Sequence, residues 1–265
     1  MLHAPDVSSP PLLGQTALVL GGTGRVGSAT AAALSAHGAR VVIHYGTRGE
    51  QARGMVDDLA VAAWASPLAL QADLTDEDGL HALVRQVEEQ CGSLEILVNT
   101  VHGQFDPKPV ADMGWGDWTV HLAAVQGHFL ICKATLPLMR RQRYGRIVYV
   151  SAGLSTRFFA GCSAYSTAKA GLNAFCKTLA LEEGRHGITV NIVAPGKISV
   201  SDGRASTDHP QAWEAMNQAT AVHAPLGREA TLDDVSGAIL YFVSPTAGGI
   251  TGQTLVVAGG EIMSA

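Results

Sequence analysis

Thr16-Ala17-Leu18-Val19-Leu20-Gly21-Gly22-Thr23-Gly24-Arg25-Val26-Gly27 is a short apolar run broken by glycines, and an Ala-rich stretch over residues 28–37 follows it. The apolar run reads as a buried parallel strand, and the Ala-rich stretch, closed by Gly38, reads as a helix. Between them Gly22-x-Gly24-x-x-Gly27 fits the spacing of a dinucleotide-binding turn. The glycines allow the tight turn and bring backbone N–H groups to a pyrophosphate at the helix N-terminus. Alone, such a match marks only a flexible turn; its place between a strand and a helix makes it a phosphate cradle. Gly21, Thr23, Gly24, Arg25, Val26 and Gly27 are therefore candidate cofactor-binding residues.

The alternation continues down the chain. Strands are expected over residues 40–45, 68–71, 94–99, 146–151, 188–193 and 254–257, and helices over 49–61, 77–91, 117–140, 163–185 and 232–243. Repeated strand–helix units make a parallel sheet with helices on both faces. The fold class is α/β, a Rossmann-type doubly wound parallel sheet in one domain over 14–265. Residues 1–13, with three prolines and two serines, read as a flexible leader. Ligands of such a sheet bind beyond the carboxyl ends of the strands, where the glycine turn, Asn99, Ser151 and Pro195 fall. Residues 199–224, between the sixth strand and the last helix, read as a lid whose Trp213 is a candidate substrate contact.

Composition narrows the function. At 265 residues and 47% hydrophobic content the chain can bury one large core. The net charge of −5 offers no basic footprint for nucleic acid. No signal-peptide pattern opens the chain, and no apolar stretch reaches the roughly 18–20 residues that span a bilayer, so no membrane partner is expected. Cys91, Cys132, Cys162 and Cys176 lack Cys-x-x-Cys spacing and read as reduced thiols of a cytoplasmic protein. Ten histidines form neither His-x-x-x-His nor His-Glu-x-x-His, so no metal site is expected.

Tyr165 and Lys169 stand four residues apart within the expected helix 163–185. That spacing stacks two side chains on one face. A phenol with a reference pKa of about 10 acts poorly at neutral pH, and an ammonium beside it favours the phenolate. The pair is a candidate for general acid–base catalysis.

Over about residues 15–260 the chain resembles the short-chain dehydrogenase/reductase family. The resemblance is carried by the glycine turn, Ala72-Asp73-Leu74, Leu97-Val98-Asn99, Gly145-Arg146-Ile147-Val148 and Tyr165-x-x-x-Lys169. Val190-Asn191, Pro195-Gly196 and Ile250-Thr251-Gly252 complete it. It implies a small-molecule oxidoreductase using a nicotinamide dinucleotide. Asp73, with Leu74, would contact the adenine, Asn99 would lie beside the adenosine ribose, and Pro195, Gly196 and Ile198 would flank the nicotinamide. Lys169 would hold the nicotinamide ribose and tune Tyr165, the proton donor. The family also implies a homotetramer or homodimer built through the long helix, the Tyr-bearing helix and the last strand, with Ala168, Ala170, Leu172, Ala174 and Phe175 supplying apolar surface.

Two positions depart from the family pattern. The catalytic serine expected thirteen residues before the tyrosine is Ala152, and an asparagine expected on the long helix is Ala124. Ser151 is adjacent, but strand neighbours point to opposite faces; Ser155 is the other candidate to replace the serine. His121 and Gln126 are close to Ala124 in sequence, and Asn99-Thr100-Val101-His102 replaces the usual Asn-Asn-Ala-Gly.

Arg25, His44-Tyr45 and Phe105-Asp106-Pro107-Lys108-Pro109 are also similar to the pteridine reductases, in which a phenylalanine at the position of Phe105 stacks on the substrate; the aspartate those enzymes carry at Ala152 is absent. The second strand ends in His44-Tyr45-Gly46-Thr47-Arg48 with no acid before Glu50, so Tyr45, Arg48 and Arg25 favour NADP(H) over NAD(H). The expected reaction reduces a carbonyl or a conjugated C=C or C=N bond. The alternatives are a pteridine reductase-like enzyme and a degenerate family member with a non-redox or regulatory nucleotide-binding role.

Overall fold

Seven parallel strands lie in the order β3-β2-β1-β4-β5-β6-β7 in the computed structural model, which describes residues 9–198 and 224–262. The elements alternate along the chain: β1 (Thr16–Leu20), α1 (Arg25–Ala36), β2 (Arg40–Tyr45), α2 (Gly49–Ala60), β3 (Leu68–Gln71), α3 (Glu77–Cys91) and β4 (Ile96–Asn99). Then come α4 (Trp115–Gln142), β5 (Gly145–Val150), α5 (Ser163–Glu183), β6 (Ile188–Pro195), α6 (Leu232–Val243) and β7 (Thr254–Val257). Trp213 and residues 199–223 of the expected lid lie outside the described residues.

The core follows from the two-residue period of a strand. Leu18 and Leu20 of β1, Leu97 of β4 and Ile147 and Tyr149 of β5 face α3, α4 and α5. Their neighbours Ala17, Val19, Ile96, Val98, Val148 and Val150 face α1 and α6. Both faces are therefore apolar and each strand reads as a continuous hydrophobic run. Each fully buried Leu, Ile or Val contributes about 1.5–3 kcal/mol relative to exposure.

The chain joins the fold earlier than the expected leader allows. Leu12 is 1% exposed in the core beneath α1, and its N–H donates to the His37 carbonyl at 2.9 Å. An apolar side chain beside the prolines found a place to bury, so residues 10–13 are structural. Helix α1 begins at Arg25, three residues before the expected start, which brings its N-terminus directly onto the glycine turn.

Helix α4 runs two residues beyond the expected range at each end. Contrary to the sequence expectation, it is long and apolar enough, by length and composition alone, to cross a membrane. Half of its most apolar window is buried inside the fold, where it packs between α3 and α5 as a core helix. The neighbouring α5 corrects another expectation. Ala168 and Leu172 are buried against the chain's own sheet, leaving Ala174 exposed and Phe175 half-buried beside the exposed Phe129 of α4.

Candidate active site

Strand order reverses between β1 and β4, and the loops leaving these strands diverge there to open a crevice, as expected of a doubly wound sheet. Thr100, just after β4, ties the two loops together: its hydroxyl donates to the Leu20 carbonyl at 2.8 Å. His44 at the end of β2 performs the same task on the other side. Its Nδ1 accepts from the Gly21 N–H at 3.3 Å, while Nε2 donates to the Ala72 carbonyl at 3.1 Å. A carbonyl only accepts, so the tautomer is fixed, and burial holds this imidazole neutral by lowering its pKa.

The turn itself fits a dinucleotide. A Cβ on Gly27 would overlap the Gly21 carbonyl oxygen, so only glycine lets the first turn of α1 sit this close to the end of β1. The first residues of that helix line the cleft, and a helix N-terminus, with its unpaired N–H groups, is suited to pyrophosphate. Gly24, Arg25, Val26 and Gly27 line a cleft of about 190 Å³ together with Thr100, His102, Ser151, Ala152, Tyr165 and Lys169. Pro195, Gly196, Ile198 and Leu232 also line it. Thr23 is buried behind the turn, its carbonyl accepting from Arg48 at 3.2 Å and Gln51 at 3.0 Å. Arg25 and Arg48 are both exposed, and Tyr45 lies over Gly49 at the start of α2.

Tyr165 and Lys169 lie on the cleft wall as their spacing predicts. The Lys169 ammonium is 4% exposed, donates to the Val150 carbonyl at 2.8 Å and stands 4.8 Å from the Tyr149 ring centre and 5.6 Å from that of Tyr165. Burial lowers its pKa to about 7. Burial, with Cys162 nearby, pushes the Tyr165 phenol up. The expected lowering of the phenol by the ammonium is thus reversed, because desolvation outweighs the attraction of a lysine bonded to a carbonyl. Three rings surround Tyr165 edge-on: Phe105 at 4.8 Å, His121 at 5.6 Å and His102 at 6.4 Å between centres.

Ala152 lies on the cleft wall in extended backbone and supplies no donor. Ser151 also borders the cleft, which the strand alternation did not anticipate, because β5 ends at Val150; its hydroxyl is buried without a hydrogen-bond partner among the described residues. Ser155 does not turn into the cleft: its hydroxyl accepts from Asn173 of α5 at 2.9 Å. Asn99 also departs from expectation. Its side chain is 1% exposed, its Oδ1 accepts from the Val101 N–H at 2.8 Å and its Nδ2 donates to His128 at 2.7 Å, so it fixes the loop after β4 from behind. Asp73 is exposed and holds a turn through the N–H and hydroxyl of Thr75, both at 2.8 Å, and Leu74 packs on Gly127 of α4. Thr100 and His102 reach the cleft from the segment that departs from the usual Asn-Asn-Ala-Gly, and Tyr149, whose ring lies against the Lys169 ammonium, was singled out by no spacing in the sequence. Among the described residues no cluster of His, Cys, Asp and Glu could hold a metal ion.

The comparisons with known proteins agree with this geometry. Residues 24–261 match a family described as Enoyl-(Acyl carrier protein) reductase. A 3-oxoacyl-[acyl-carrier-protein] reductase of Synechocystis sp. is 33% identical over 254 residues, 95% of this chain and 98% of that protein. The 3-oxoacyl-[acyl-carrier-protein] reductase FabG of Escherichia coli is 33% identical over 253 residues, 94% and 98% of the two chains. A short-chain type dehydrogenase/reductase from Mycobacterium ulcerans superposes with a TM-score of 0.86 at 25% identity, covering 94% of this chain and 90% of that one. The structure of gox2181 gives 0.84 at 29% identity over 94% and 96%. The chain belongs to the short-chain dehydrogenase/reductase family of oxidoreductases.

Proposed function

We propose that this protein is an NADPH-dependent reductase that reduces a carbonyl or a conjugated C=C or C=N bond of a small molecule, with Tyr165 as proton donor. The observation that carries the reading is the placement of Tyr165 and Lys169 on the same cleft as the glycine turn at the start of α1. A bound nicotinamide would supply the hydride. The residues around it divide the remaining work. The helix start and turn 21–27 would hold the pyrophosphate, Pro195, Gly196 and Ile198 would flank the nicotinamide, and Lys169 would hold the ribose. Asp73 and Leu74 would border the adenine, and Asn99 acts through the backbone loop it fixes. Burial keeps the Tyr165 phenol protonated, the form a reductase requires.

Arg25 and Arg48, with no acid at the end of β2, favour the 2′-phosphate of NADPH. The substrate would enter between Phe105 and Ala152. The relatives named above are 3-oxoacyl reductases and the matched family is described as an enoyl reductase; Ala152, which cannot donate to an oxyanion, favours substrates that do not depend on that hydrogen bond. We place the protein in the cytoplasm, because its four cysteines are free, and expect a homodimer or homotetramer through the face carrying Phe129 and Phe175.

The test is NADPH oxidation against a panel of 3-oxoacyl thioesters, 2-enoyl thioesters, simple ketones and a pterin. Tyr165→Phe should lower the turnover found by about 10²–10⁴-fold while NADPH binding, followed by nicotinamide fluorescence, stays within twofold. An active Tyr165→Phe variant removes Tyr165 as donor. Tight NADPH binding without turnover on any acceptor would leave a non-redox nucleotide-binding role.

A further inference from the structure

Residues 258–262, which follow β7, pack against two walls of the cleft at once. One wall is the turn at Pro195 and Gly196. The Gly196 N–H donates to the Val257 carbonyl at 2.9 Å, and a Cβ on Gly196 would come to 2.8 Å from that of Ala258 and 3.4 Å from Glu261 Oε2. The other wall is the turn 153–157, which begins directly after Ala152. A Cβ on Gly153 would overlap Cδ1 of Ile262, so the bare backbone there gives this side chain its seat. A third segment thus lies against the backbone of both walls.

A charged contact reinforces the apolar one. Arg157 Nη1 donates to Glu261 Oε1, and the Glu261 side chain is 5% exposed against 31% for Arg157. A carboxylate buried this far is costly unless it is paired, and an apolar contact of similar size would serve stability as well or better. What a charged hydrogen bond adds is direction: it holds one placement of the two backbones rather than a range. The turn 153–157 is also tied to α5, the helix that carries Tyr165, because the Ser155 hydroxyl accepts from Asn173. The amides of Ser155, Thr156 and Arg157 donate to the carbonyls of Ala152 and Gly153 at 3.0–3.1 Å, so the turn is one hydrogen-bonded unit.

We propose that Glu261 is a positioning residue: paired with Arg157, and with Ile262 seated on Gly153, it latches the wall that carries Ala152 to the turn that carries Gly196. The inference rests on the reductase reading given above, in which the acceptor enters beside Ala152 and Gly196 flanks the nicotinamide. Hydride transfer needs its two carbons held about 3–3.5 Å apart and aligned, so a shift of about 1 Å between these walls is expensive in rate. Ala152 cannot hold the acceptor by a side-chain hydrogen bond, so the relative placement of the two walls carries more of that task. Glu261 touches neither acceptor nor nicotinamide in this role; it acts through the turns it joins.

The test has one arm without turnover and one with it. Glu261→Gln keeps the shape and removes the charge. Amide hydrogen exchange at residues 155–157 and at Gly196 should become about tenfold faster or more in this variant, while exchange in β1 and β4 stays as in wild type. Unchanged exchange at 155–157, or an equal rise throughout the sheet, would overturn the latch. In turnover of the acceptor found with the panel above, Glu261→Gln should lower kcat about tenfold or more, leave the NADPH Kd within twofold and keep the pH profile. Glu261→Asp, which retains the carboxylate, should recover part of the rate. A faster-exchanging turn with wild-type kcat would make Glu261 structural only and end the positioning role. Should Glu261→Gln fail to fold, Ile262→Ala removes the apolar half of the latch and is read by the same exchange and kcat, with the same overturning results. If wild type turns over nothing, the reductase reading fails, while the exchange arm still decides whether the latch exists.

Discussion

Lys169 bonds to the carbonyl of Val150, the last residue of β5, across 19 positions of sequence at 2.8 Å. This bond fixes the first turns of α5 against the end of the central sheet. It holds Tyr165, one helical turn earlier, at the cleft that Ala152 also lines. The ammonium is therefore a structural pin as well as a chemical group, and the two roles can be separated.

A buried ammonium is held at a cost. Its folded pKa of about 7 lies below the ordinary 10.5, so the unfolded chain binds the proton more tightly between those values and the penalty shrinks as pH rises through that window. Lys169→Met should therefore unfold at higher denaturant at pH 6–7, with a gain of about 1 kcal/mol or more, and the difference from wild type should narrow toward pH 10. The same variant should lose turnover. Equilibrium unfolding at several pH values measures the first, and NADPH oxidation the second.

Ala152→Ser adds a hydroxyl on the wall of the cleft that Tyr165 and Lys169 also line. Turnover of simple ketones should rise by about 10–100-fold, short of the roughly 100–1,000-fold (about 2.7–4 kcal/mol) that a fully preorganised oxyanion donor is worth, because the added hydroxyl has no partner that orients it. Activity on a C=C or C=N substrate should change little or fall. Parallel kcat/KM measurements on both classes read the difference.

Arg25→Ala and Arg48→Ala should each weaken NADPH by about 10–100-fold, the range of a lost hydrogen bond to a charged group. NADH should weaken far less. Arg48 also holds the Thr23 carbonyl, so its NADH affinity is the control for loosening of the turn. Fluorescence titration with both cofactors measures this, and equal loss for both would remove the charge argument.

His128 is fully buried beneath Asn99, with Nδ1 accepting from the amide and Nε2 toward Cys176 at 3.4 Å. Burial, with the Lys169 charge, lowers its pKa to about 3. The unfolded imidazole takes up a proton near its usual 6.5, so stability is retained above that pH and lost progressively below it. From pH 6.5 to pH 5 this residue alone should remove about 2 kcal/mol. Urea unfolding at pH 7 and pH 5 should show the loss, and His128→Phe should flatten the dependence over that window.

The glycine turn, the alternation of strands and helices and the Tyr165–Lys169 pair were legible because each is local. Strand and helix periods, turn glycines and a four-residue helical spacing need only neighbours in sequence. Even Ala152 and Ala124 could be recognised as departures by counting along the chain. The fates of Ser155, Asn99 and Leu12 were not legible, because each depends on a partner from a distant segment: Asn173, His128 and the core beneath α1.

By itself the sequence determined a doubly wound sheet with a dinucleotide turn and a Tyr–Lys pair at its carboxyl edge. Only the tertiary structure decided which side chains share the cleft. It brought His102, His121 and Tyr149 from a loop, a helix and a strand around Lys169, and it turned Ser155 away. It also set the charge states, raising the Tyr165 phenol and lowering the Lys169 ammonium. Desolvation and hydrogen-bond partnership are sums over everything packed within a few ångströms, and in a parallel sheet those neighbours come from segments far apart in the chain.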